Sequence, residues 1–101
     1  MLTDLHIVAV RLRQAREKAG LSQKKLGILA GIDEFSASPR INQYERGKHI
    51  PDVYMTERLA RVLNIPVTFL YCENETMADI ILKIDALNEN DKQKMLQELS
   101  S

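Results

Sequence analysis

The sequence predicts an all-α chain. No stretch alternates apolar and polar residues over strand length, apolar residues recur at spacings of three and four, and glycine and proline mostly fall between those runs. With 101 residues, 45% of them hydrophobic, the chain can bury a core without disulfides or metal.

The elements follow in order. Leu5, Val8, Leu12 and Ala15 form the apolar stripe of a first helix expected from the cap Thr3-Asp4 to Ala19, with Gly20 as its stop. Ser22 caps a short second helix, Gln23 to Ala30, which buries Leu26, Leu29 and Ala30 before Gly31. Residues 32–37 read as an enlarged turn, with Phe35 expected to fold back onto the core because an exposed aromatic gains little. Ser38 then reads as the cap of a third helix and Pro39 as its first residue, where the missing N–H has no partner to lose. Gly47 ends this helix. Pro51-Asp52 opens a fourth, Val53 to Leu63, broken by Asn64-Ile65-Pro66, and a short fifth covers Val67 to Tyr71. Beyond Cys72, Thr76 is expected to cap a helix bearing Met77, Ile80, Ile81, Ile84 and Leu87. Asn90 is expected to cap a last one bearing Met95, Leu96 and Leu99. The organisation expected is a domain over residues 1–72 and a helical extension over 73–101.

Net charge is zero, but its distribution is uneven. Residues 1–50 hold nine cations and five anions, and residues 51–101 hold five cations and nine anions. A polyanion is drawn to the first half and repelled by the second. No stretch approaches the ~20 apolar residues of a membrane span, so no membrane partner and a cytoplasmic location are expected. Cys72 is the only cysteine and reads as a small buried hydrophobe. His6 and His49 have no ligands at metal spacing, and neither a phosphate-binding glycine loop nor a nucleophile elbow is present. No enzyme activity, cofactor or metal is expected.

Leu12-Arg13-Gln14-Ala15-Arg16, Gly20-Leu21-Ser22-Gln23, Leu26, Gly31, Tyr44-Glu45-Arg46-Gly47 and Pro51 together resemble the Cro/repressor helix-turn-helix family, also called the xenobiotic-response-element family. The resemblance covers about Val8 to Leu70. It implies a five-helix repressor-like DNA-binding domain whose third helix reads DNA, and an ion pair between Arg16 and Glu45 tying the first helix to the third. One departure stands out: the thirteen residues from Gly31 to Tyr44 exceed the interval in compact members of the family.

With Ile41 directed at the core, 100° per residue places Gln43 nearly opposite it, with Arg40 and Arg46 on the outer half and Asn42 at its border. Glutamine grips adenine and arginine grips guanine through paired hydrogen bonds in the major groove. Gln43 and Arg40 are therefore the leading candidates for base contacts and Ser38 the third. Outside the motif context the same polar face reads as merely solvated. Phosphate contacts are expected from Ser22 and Gln23 at a helix start, and from Asn42, Arg46 and Lys48. The stripe Met77, Ile80, Ile81, Ile84 and Leu87 is expected to contribute to a homodimer, because repeated half-sites are read by dimers. The leading function is a sequence-specific transcriptional regulator, a repressor binding double-stranded DNA at a palindromic operator. The alternatives are an antitoxin that binds a toxin protein and autoregulates its operon, and a protein-interaction scaffold.

Overall fold

The computed structural model describes residues 6–101 and contains seven helices and no strand among them. The expected cap Thr3-Asp4 and the stripe residue Leu5 lie outside the described residues. The helix α1 spans Ile7–Ala19, capped by His6, whose Nδ1 accepts from the Val8 N–H at 3.1 Å. At its end Gly20 takes a left-handed conformation, φ 73°, and its N–H bonds back to the Arg16 and Glu17 carbonyls. The next helix, α2, spans Gln23–Leu29, with the Ser22 Oγ accepting from the Lys25 N–H.

The third helix differs from the sequence reading. It is α3, Glu34–Glu45, capped by Asp33, whose carboxylate accepts from the Phe35 and Ser36 N–H groups. A hydrogen bond from the Ser36 side chain and then that from the Phe35 N–H, with the Ser36 N–H and Arg40 as lesser causes, hold the Asp33 pKa below its usual value. There is no enlarged turn at residues 32–37: the extra length before Tyr44 is helix. Ser38 is not the cap, and Pro39 lies inside the helix. Phe35 does not return to the core but stands 87% exposed. The reason is visible in the apolar spacing. Ala37, Ile41 and Tyr44, all buried, are one stripe at i, i+4 and i+7, which extends the helix a full turn ahead of the proline.

Helix α4 spans Val53–Leu63 under an Asp52 cap, and Asn64 closes it with a φ of 55°. Helix α5 spans Val67–Tyr71. Each of the first five helices gives the core at least one large residue with no exposed surface: Leu12, Leu26, Ile41, Leu59 and Leu70. Burying each stabilises the fold by about 1.5–3 kcal/mol.

Helix α6 covers Glu75–Asp85 and α7 covers Glu89–Ser100. Their caps are Asn74 and Asn88, each two residues ahead of the expected Thr76 and Asn90. Each Asn Oδ1 accepts from the N–H three residues on, at 2.8 Å. Ala78 of α6 is buried, and Ile81 and Leu82 pack beside it on the core. Ile81 therefore belongs to the inward face and leaves the expected dimerisation stripe. Met77 and Ile80 remain exposed, and α7 buries nothing. The radius of gyration, 15.0 Å, exceeds the roughly 13 Å of a compact chain this long.

Candidate nucleic-acid interface

Helices α2 and α3 meet almost backbone to backbone. A Cβ on Gly27 would lie 2.7 Å from the Ala37 Cβ and 2.9 Å from its Cα, so only glycine admits this approach. Gly31, at φ 96°, turns the chain between the two helices. The C-terminal end of α3 is held by a carboxylate. Glu45 accepts from Arg16 Nε at 2.6 Å and Nη2 at 2.9 Å, and Gln23 Nε2 donates to it at 3.1 Å. Arg16 also donates to the Leu21 carbonyl at 2.9 Å. The hydrogen bonding to Glu45 is the main reason the Arg16 pKa is raised. One acid thus joins α1, α2 and α3, and the structure brings Arg16 and Glu45 together in two-point contact.

With α3 anchored through Ala37, Ile41, Tyr44 and Glu45, the rest of its surface faces outward. At 100° per residue from Ile41, Phe35, Ser36, Pro39, Gln43 and Arg46 occupy the outer pole, with Arg40 and Asn42 on its flanks. Phe35, Pro39, Arg40 and Arg46 are exposed and Gln43 half-exposed. Ser38 falls on the inner flank and is half-buried, because the helix begins five residues earlier than the sequence reading has it. It drops from the base-contact set. Phe35 and Ser36 are residues the sequence reading missed: taking Pro39 as a start hid the first turn. The signal was there in Asp33, a capping residue followed by an acid, and in the Ala37–Ile41–Tyr44 spacing.

The rim residues divide. Ser22 is spent as a cap, although its side chain is exposed. Gln23 and Asn42 are half-buried and hydrogen-bonded to each other at 3.3 Å, so they brace α2 against α3. Arg46 and Lys48 are exposed, as are Lys24 and Lys25 in the first turn of α2.

Away from this face, Arg11 is a second junction that the sequence reading did not single out. Its side chain is 1% exposed, stacks on the Phe69 ring and donates to the Cys72 and Glu73 carbonyls at 2.7 and 3.1 Å. It also meets Gln14 and Glu75. It caps the end of α5 and fastens the start of α6 to α1. Cys72 is half-buried against the core. Among the described residues no group of His, Cys, Asp or Glu is placed to hold a metal ion, and no helix is long and apolar enough to cross a membrane.

Comparison with known proteins agrees with this arrangement. Residues 7–68 match the model of the helix-turn-helix domain. The chain is 34% identical over 68 residues to uncharacterized HTH-type transcriptional regulators of Sinorhizobium medicae (strain WSM419) and Rhizobium meliloti (strain 1021). The match covers 67% of this chain and 45% of each relative, so the chain spans less than half the length of these relatives. The crystal structure of the transcriptional regulator BswR superposes with a TM-score of 0.87 at 46% identity, covering 91% of both chains. The chain belongs to the helix-turn-helix domain family.

Proposed function

We propose that the chain is a sequence-specific DNA-binding transcriptional regulator of the Cro/repressor kind. In this reading it acts as a repressor and binds a two-fold operator as a homodimer. The observation that carries the reading is the outer face of α3. A helix anchored by a buried apolar stripe and the Glu45 junction presents Arg40, Gln43 and Arg46 outward, and among the described residues no buried side-chain polar atom is left unpaired. Rigid support is what side chains need if they are to discriminate bases. Arg40 and Gln43 read base edges, while Arg46, Lys48, Lys24 and Lys25 contact phosphates, with Ser22 at their edge. Gln23 and Asn42 set the spacing of the two helices. Met77, Ile80, Ile84 and Leu87 line the dimer contact.

Selection of bound duplexes from a random pool tests this. The parent chain is expected to enrich one sequence with two related half-sites. Affinity should fall with salt at a log–log slope of about −0.9 per neutralised phosphate. The double variant Arg40→Ala/Gln43→Ala should melt like the parent and lose about 5- to 150-fold in preference for the selected duplex per lost contact. A folded double variant that still picks out that duplex as well as the parent sinks the assignment.

A further inference from the structure

Phe35 is the feature that the proposed function leaves unused. It lies in the first turn of α3 and is 87% exposed, an unfavourable place for a large apolar ring unless something covers it. Its azimuth is about 120° from Ile41; Pro39 lies about 40° further round and Gln43 about 40° beyond that. The three make one ridge at i, i+4 and i+8, with Ser36 and Arg40 along one side and Arg46 on the other. The ridge spans about 12 Å of helix axis. Apolar carbon thus sits at the N-terminal end of the face proposed to enter the groove, the end that reaches base edges when such a helix docks.

Resting on the DNA-binding reading above, we infer that Phe35 is a specificity-determining residue that packs its ring on the C5-methyl group of a thymine in the major groove. That methyl is the one apolar group any base displays there, and phenylalanine is a side chain suited to it. A second copy of this chain is a poorer occupant, since it would press Arg40 and Arg46 against their own counterparts. The thymine lies within about four base pairs of the base held by Gln43, the ridge length divided by the base-pair rise.

The probe is the duplex selected from the random pool, remade with deoxyuridine in place of each thymine in turn. At one thymine per half-site, loss of the methyl is expected to weaken binding by the parent about fourfold, the worth of burying one such carbon. Phe35→Ala should bind the unmodified duplex more weakly and show no further loss at that position. Phe35→Leu should recover part of the methyl dependence. Because the ring makes no core contact, Phe35→Ala should melt with the parent, which separates a lost contact from a lost fold. A selected duplex in which no thymine methyl couples to Phe35 overturns this inference alone. A pool that yields no preferred duplex overturns both it and the regulator reading.

Discussion

Glu45 is the last residue of α3, yet only 7% of it is exposed. A carboxylate so enclosed stays charged only if donors replace the water it has lost, and Arg16 supplies two of them while Gln23 supplies a third. Arg16→Ala would leave that acid with one neutral donor and free the Leu21 carbonyl as well. Loss of one partner of such a buried pair costs about 3–5 kcal/mol, a large part of the ~5–15 kcal/mol that holds a typical domain. Urea unfolding should therefore show a midpoint far below the parent's. Arg16→Lys should recover only part of it, since a lysine cannot make the two-point contact. An Arg16→Ala chain as stable as its parent would mean that the pair is decorative. The family resemblance implies this pair and the structure contains it, because both residues sit at fixed offsets from helix ends. Arg11 is different: two of its partners are backbone carbonyls sixty-odd residues away, and a carbonyl has no signature in sequence.

At the scale of elements, the stretch from Ile32 to Ser38 shows where local reading fails. Proline is tolerated in a first helical turn, so a capping serine before it is a plausible start. The chain instead begins at Asp33 and runs through the proline, because Ala37 must reach Gly27 for α2 and α3 to touch. That contact is long-range and outweighs the local rule. Its cost is one missing hydrogen bond, since Pro39 cannot donate to the carbonyl of Phe35. Pro39→Ala should restore the bond and raise unfolding free energy by about 1–3 kcal/mol, the interior proline penalty reduced by the freer unfolded chain. Denaturant titration reads this directly, and a variant less stable than the parent would place the helix start after all at Ser38. Elsewhere local chemistry sufficed. Asp52 caps α4 as read, whereas Asn74 and Asn88 displaced Thr76 and Asn90 because both segments offer two competent caps and sequence cannot rank them. The core stripes of α1 from Val8 onward and of α4 were legible because their period is regular, whereas on α2 Leu26 and Ala30 are buried but Leu29, expected beside them, is 50% exposed. The outer face of α3 proposed to read bases was legible only from Arg40 onward.

At the scale of the whole molecule, the chain is divided in charge and in packing. Basic residues gather in α1 to α3, and the acidic second half ends in α7, which buries no residue. On α6 the apolar residues split between two directions. Ala78, Ile81 and Leu82 face inward, while Met77, Ile80 and Ile84 follow each other along another side at three- and four-residue steps, with Leu87 just past the helix end. Exposed Met95, Leu96 and Leu99 on α7 add to the uncovered apolar surface. A patch of this kind is what a symmetric dimer buries, and acidic surroundings keep it clear of the phosphates that the basic half attracts. One domain this small reads few base pairs, so pairing is also what specificity needs. Met77→Glu/Ile80→Glu should therefore leave helicity and melting of the monomeric core nearly unchanged. It should convert a dimer mass to a monomer mass at micromolar concentration in sedimentation equilibrium, and make DNA binding depend on a single half-site. Ile81→Ala supplies the contrast: Ile81 is half-buried against the core, so the change should lower stability by less than the ~2–5 kcal/mol of a fully buried isoleucine, without changing the association of the folded fraction. If the parent chain already sediments as a monomer at those concentrations, the stripe is not a dimer contact, and operator pairing must arise on the DNA itself.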